Sequence, residues 1–367
     1  MADPRIEKLA KLTVKYSINV KKGESVLILA PVQSEALALE MYREVVKAGG
    51  HPILQAIFER SSEIFYEEAK PHHLDYMSPY KKYLYSNVDG LISIMADENT
   101  RSLSGADPQK MARNAKANTE LQKIFMERSA KGELKWCGLP FPTNAMAQEA
   151  SMSFSDYEKF VYSACLVDKR DPIAEWKKIS KKHDLMIKVL DKVKKLEFYG
   201  EDTDLKMSVK GRKWINCDGK YNMPDGEVFT GPVENSVEGQ IRFTFPGIYM
   251  GKEIEDITLQ FKKGKIVKAT AEKGNELLQS LISIDDGAKR LGEVAIGTNH
   301  GIKKFTKNIL FDEKLGGTIH MAIGLAYPEC NAKNQSAIHW DMIKDMKKNA
   351  EIVADGETVY KNGKWLK

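Results

Sequence analysis

The feature that most constrains this chain is a change of texture near residue 196. Before it, short apolar runs alternate with helical stretches; after it, short alternating segments are bounded by Gly or Asp-Gly turns. In the first part, Ser25-Val26-Leu27-Ile28-Leu29-Ala30 suits a buried strand, Ser34 is placed to cap the following helix, and Gly49-Gly50 ends that helix. Pro52-Ile53-Leu54-Gln55-Ala56-Ile57 is a second strand, so a strand-helix-strand unit with short connections is predicted. Leu91 to Met95 and Lys135 to Gly138 add strands separated by helical stretches such as Pro108 to Arg128, which predicts a parallel or mixed sheet covered by helices. Asp171-Pro172, a capping acid followed by proline, opens a helix predicted to run to about Leu196. Beyond it, Leu205 to Val209, Gly211-Arg212, Asp218-Gly219, Ile257 to Phe261 before Lys263-Gly264, and Val359-Tyr360 before Asn362-Gly363 are hairpin signals, with helix expected near Asn275 to Ile284. At 367 residues the chain exceeds a typical single domain. The expectation is an α/β N-terminal domain, 1–195, followed by a β-rich α+β domain, 196–367.

Several function classes are disfavoured. Ala30-Pro31-Val32-Gln33-Ser34 follows the first strand where a dinucleotide-binding domain would carry Gly-x-Gly-x-x-Gly, and neither a P-loop nor a Gly-x-Ser-x-Gly elbow occurs. The net charge is +5 with both signs interspersed. The densest basic run, Lys177, Lys178, Lys181 and Lys182 with Lys194 and Lys195, alternates with apolar residues and reads as the solvated face of an amphipathic helix, so no nucleic-acid partner is expected. Cys137, Cys165, Cys217 and Cys330 are scattered, as in a reducing compartment. The first residues are charged where a signal peptide would be apolar, and no segment is apolar enough to span a bilayer; a cytoplasmic protein with no membrane partner is expected.

Chemistry concentrates in the second half. In Ser336-Ala337-Ile338-His339-Trp340-Asp341, a strand would project His339 and Asp341 from the same face, as a pair of metal ligands. His320 stands in the apolar segment Thr318 to Gly324, where an unpartnered imidazole would be costly. Glu293, before Val294-Ala295-Ile296-Gly297, is placed at a buried helix-to-strand corner, and Pro224-Asp225-Gly226-Glu227 adds another acidic segment. Singly, such residues are commonly solvated acids or hydrogen-bonded core histidines. Together they point to a dinuclear hydrolytic site.

Asn222-Met223-Pro224-Asp225-Gly226-Glu227-Val228-Phe229-Thr230-Gly231-Pro232, Leu291-Gly292-Glu293-Val294-Ala295-Ile296-Gly297-Thr298-Asn299, Gly317 to Gly324 and Ser336 to Asp341 together resemble the thermophilic metalloaminopeptidase family of the aminopeptidase T type. The resemblance implies two divalent ions, zinc or cobalt with magnesium or manganese as alternatives, in the C-terminal domain of a homodimer whose sites open on an internal cavity. The implied ligands are Glu227, Glu293 as the bridge, His320, His339 and Asp341, with Glu313 as a further carboxylate and Tyr327 as the catalytic tyrosine. The segment Cys330-Asn331-Ala332-Lys333-Asn334-Gln335 departs from the glycine-bearing loop expected there.

The implied activity is removal of N-terminal residues from short peptides with a free N-terminus. Two cations would activate a bridging water and polarise the carbonyl, and Tyr327 would donate to the oxyanion. Glu234 is a candidate to hold the substrate ammonium. The alternatives are a metal-binding paralogue without turnover and a dinuclear amidase of other specificity.

Overall fold

The computed structural model describes residues 3–249 and 251–367. By Cα proximity the described chain divides into two compact units, one holding residues up to Ile173 with Gly219–Pro224, the other Ala174–Asp218 with Asp225–Lys367.

The first unit is built on four parallel strands, β1 (Ser25–Pro31), β2 (His51–Ile57), β3 (Gly90–Met95) and β4 (Lys135–Pro140), in the order β2-β1-β3-β4. Val26, Leu27, Ile28, Ile92, Ile94 and Leu139 are buried, which is why β1, β3 and the end of β4 read as apolar runs, whereas β2 at the sheet edge has no buried residue. Helix α1 (Glu35–Lys47) crosses from β1 to β2. Ser34 does not cap it: its hydroxyl donates to the Pro31 carbonyl at 2.6 Å, closing the preceding turn instead. The predicted helical stretch 108–128 is two helices, Pro108–Ala117 and Thr119–Ala130, divided at Asn118, whose amide donates back to the Asn114 carbonyl. Gly219–Pro224 joins this unit because Tyr221 and Met223 exchange backbone hydrogen bonds with Gly138 of β4, and the Tyr221 ring lies 5.2 Å from Trp136.

The helix Pro172–Leu190 stops six residues short of the expected end. It groups almost entirely with the second unit, which moves the division from the expected 195/196 to 173/174. The reason is its apolar face: Met186 and Leu190 share a core with Leu196, Phe198 and Leu205.

The second unit holds an eight-stranded antiparallel sheet, ordered 265–270, 258–262, 238–242, 203–208, 195–200, 351–354, 357–361 and 364–365. A second antiparallel sheet has five strands: β5 (Ile215–Cys217), β6 (Glu227–Thr230), β7 (Leu291–Gly297), β8 (Thr318–Gly324) and β9 (His339–Asp345), in the order β9-β8-β7-β6-β5. One large core contains side chains from both sheets, and the expected helix lies at Asn275–Ile282. The fold is thus an α/β unit with a parallel sheet and a β-rich unit. Among the described residues no helix is long and apolar enough to cross a membrane.

Candidate metal centre

The five-stranded sheet has two chemically different faces because side chains alternate along each strand. Val228, Val294, Ile296, Ile319, Met321, Ile323, Trp340 and Met342 enter the core. On the other face the register sets Glu227 opposite Gly297, Glu293 and Asp341 on either side of Ala322, His339 opposite Gly324, and His320 between Ala295 and Ile343. Glycine or alanine therefore stands beside every polar side chain of this face, leaving room for imidazoles and carboxylates to converge. Glu293 is inside β7 rather than at a helix-to-strand corner. A bulge at Gly292 breaks the alternation, so Leu291 and Val294 both reach the core while Glu293 turns to the polar face. A Cβ at Gly292 would stand 2.4 Å from the carbonyl oxygens of Gly324 and Leu325, so only glycine fits the bulge.

The side chains meet closely. His320 Nε2 lies 3.3 Å from Glu227 Oε2 and 3.2 Å from Glu293 Oε1; His339 Nε2 lies 3.6 Å from Glu293 Oε2 and 3.4 Å from Asp341 Oδ2. Glu293 thus turns one oxygen to each histidine. His339 Nδ1 donates to the Leu325 carbonyl at 2.7 Å, which orients the ring and turns Nε2 inward, the usual support of a metal-ligating histidine. Three donor sets arise in one pocket: Glu227, Glu293 and His320; Glu293, His339 and Asp341; Glu313, His320 and Asp341, each within 4.8 Å among its own donor atoms. Glu227 Oε2, Asp341 Oδ1 and His320 Nδ1 are buried and make no hydrogen bond. Buried oxygen and imidazole donors without partners fit divalent cations, so the donor set suits the metals the sequence implies.

Electrostatics agree with that fit. Burial disfavours the charged His320, but Glu227, Glu293 and Asp341 more than offset it and raise its pKa to about 9. His339 is likewise lowered by burial and raised further by Asp341 and Glu293, to about 10. Burial lifts Glu313 to about 8 and raises Glu293. Without metal, the folded chain therefore holds more protons at these groups than the unfolded chain from pH 4.5, the ordinary value for Glu313, to about 10. Stability in chelator is expected to fall as pH rises through that window. Denaturant titrations at a series of pH values check this; a rise in stability over the same range would contradict it.

Tyr327 follows β8. Its ring packs edge-on against His339 at 5.0 Å and Phe229 at 5.5 Å. Burial and the carboxylates of Glu293, Asp341 and Glu313 hold its phenol above the ordinary range, so it is a donor at neutral pH. Glu234 is already engaged: Oε2 pairs with Arg212 at 2.7 Å and Oε1 accepts from the Lys333 N–H at 2.7 Å. It clasps the 330–335 loop rather than facing the polar pocket with a free carboxylate. In that loop Ala332 packs on Gly231, and the Asn334 amide donates to the carbonyls of Gly287 and Gly324.

Two features escaped the sequence reading. The buried Lys314 ammonium contacts Glu227 at 2.5 Å and Glu313 at 2.7 Å; in sequence it reads as another surface lysine. His183, on the helix Pro172–Leu190, is buried and bridges Asn216 and Thr298 at 2.7 Å each, supporting β5 and the segment that leaves β7.

The family model described as thermophilic metalloprotease (M29) matches residues 2–365. Aminopeptidase PepS of Streptococcus thermophilus is 28% identical over 98% of each chain. Aminopeptidase T of Thermus thermophilus is 28% identical over 88% of this chain and 85% of its own, and aminopeptidase 2 of Geobacillus stearothermophilus 27% identical over 99% and 98%. The solved structure of wild-type AmpT from Thermus thermophilus superposes with a TM-score of 0.85 at 24% identity, covering 99% of both chains, and shares this fold.

Proposed function

Because this chain belongs to the thermophilic metalloprotease family, we propose that it is a metal-dependent aminopeptidase that removes N-terminal residues from short peptides. The observation that carries the proposal is the convergence of Glu227, Glu293, His320, His339 and Asp341 on one face of one sheet, with Glu293 offering an oxygen to each histidine. The aminopeptidase names of relatives that match along nearly their whole length support it.

These five residues, with Glu313, would hold two divalent ions, zinc or cobalt, with Glu293 shared between them. When bound, such ions lower the pKa of a water toward neutrality and polarise a carbonyl. The chain's own residues supply the rest. His339 is oriented by the Leu325 carbonyl on Nδ1, so its Nε2 faces the pocket without rearrangement of the ring. The Tyr327 phenol, protonated and edge-on to His339, is placed to donate to the oxyanion of a tetrahedral intermediate. With Glu234 occupied by Arg212, recognition of the substrate ammonium falls to the carboxylates of the pocket itself.

Unblocked short peptides are expected to be shortened one residue at a time, followed by mass spectrometry, while N-acetylated peptides resist. Comparable cleavage of both would indicate an amidase, and no turnover by the metal-loaded protein a binding paralogue. A homodimer is part of the proposal, checked by light scattering against twice the 41.4 kDa chain mass. So is a cytoplasmic location, which the scattered placement of the four cysteines, with no CxxC pair, supports.

A further inference from the structure

Lys314 is 3% exposed, and its ammonium lies 2.5 Å from Glu227 Oε1, 2.7 Å from Glu313 Oε1 and 3.7 Å from Asp225 Oδ1. A buried ammonium is costly unless it is surrounded in this way. Sharing Glu227 with the histidine sets, Cys217, Asp225 and Glu227 bring a sulfur and two carboxylate oxygens within 4.8 Å of one another. The group is built into the sheet: Cys217 of β5 is the register partner of Glu227, Asp225 Oδ1 accepts from the Gly226 N–H at 3.0 Å, and the Asn299 amide donates to the Asp225 carbonyl at 2.8 Å. A thiol with two carboxylates is a donor set for zinc or cobalt, yet a lysine is aimed at it.

We propose that the Lys314 ammonium is a resident cation occupying a third, latent divalent-metal position formed by Cys217, Asp225 and Glu227, and that by holding Oε1 of Glu227 and of Glu313 it leaves the second oxygen of each for the neighbouring metal centre. Lys314 is a positioning residue. Its charge also offsets one of the five carboxylates of the cluster, Asp225, Glu227, Glu293, Glu313 and Asp341, leaving four negative charges for two divalent ions to neutralise. The inference rests on the proposed function only for the identity of that neighbouring centre.

The test compares full-length wild type, Lys314→Ala and Lys314→Met after loading with cobalt(II). Alanine opens the position, so one additional ion per chain is expected. As that ion binds, the Cys217 thiol loses its proton to solvent and a sulfur-to-cobalt charge-transfer band appears in the near ultraviolet. The band should be missing from wild type, from Lys314→Met, which fills the space with an apolar chain, and from Cys217→Ser/Lys314→Ala. An alanine variant with the wild-type ion count and no band overturns the proposal. If Lys314→Ala is unfolded in chelator, cobalt must restore its fold, because the ion takes over the work of the ammonium; failure to restore it overturns the proposal equally. A wild type that binds no metal would instead count against the proposed function, since the inference is read from the difference between variants.

Discussion

Asp341→Ala and His339→Ala are each expected to abolish measurable turnover and to lower metal content, while the parallel-sheet unit stays folded. Each change removes one of the three donors of the Glu293, His339 and Asp341 set. Even outer-shell partners of metal ligands cost roughly 10- to 100-fold in affinity when removed, so loss of an inner donor should exceed that. The parallel sheet forms its own compact unit and does not contain these residues. Metal analysis and thermal unfolding of the same samples separate the effects. Full metal content and wild-type rates in both variants would remove the site from consideration.

Tyr327→Phe is expected to lower kcat by roughly 10²- to 10³-fold, the usual loss for one oxyanion donor, with metal content unchanged and KM little altered. The substitution keeps the edge-on ring contacts to His339 and Phe229 and deletes only the hydroxyl. If Tyr327 served packing alone, kcat would stay within a few-fold and the change would appear, if at all, as a small loss of stability. The two outcomes differ by more than a decade in rate, so steady-state kinetics on a free-amine peptide decides between them.

The inner strands of the parallel sheet, β1 and β3, were legible because both of their faces are covered, which turns them into apolar runs such as Val26-Leu27-Ile28. His339 and Asp341 were legible because a two-residue spacing in a strand places both on one face, and β9 realises that spacing. That Glu227, Glu293 and His320 belong to the same site was legible from their motifs taken together and from the family resemblance, but how they converge was not, since it depends on the order of β6, β7 and β8 and on a bulge at Gly292 that local pattern does not encode. The domain division shifted because the lysines of the helix Pro172–Leu190 were easier to read than the destination of Met186 and Leu190 on its other face. Lys314 was invisible for a related reason: of its carboxylate partners only Glu313 is adjacent in sequence, and Glu227 is 87 residues away. A lysine beside a glutamate reads as a solvated pair until the fold buries it.

The most direct test of a metal-dependent aminopeptidase built on the β6–β9 face is to measure divalent metal content and hydrolysis of a free-amine peptide on one preparation, before chelation, after it and after re-addition of zinc or cobalt. The account predicts about two ions per chain, loss of N-terminal cleavage when they are removed and its return when they are restored. Cleavage that persists at full rate in metal-free protein would contradict it.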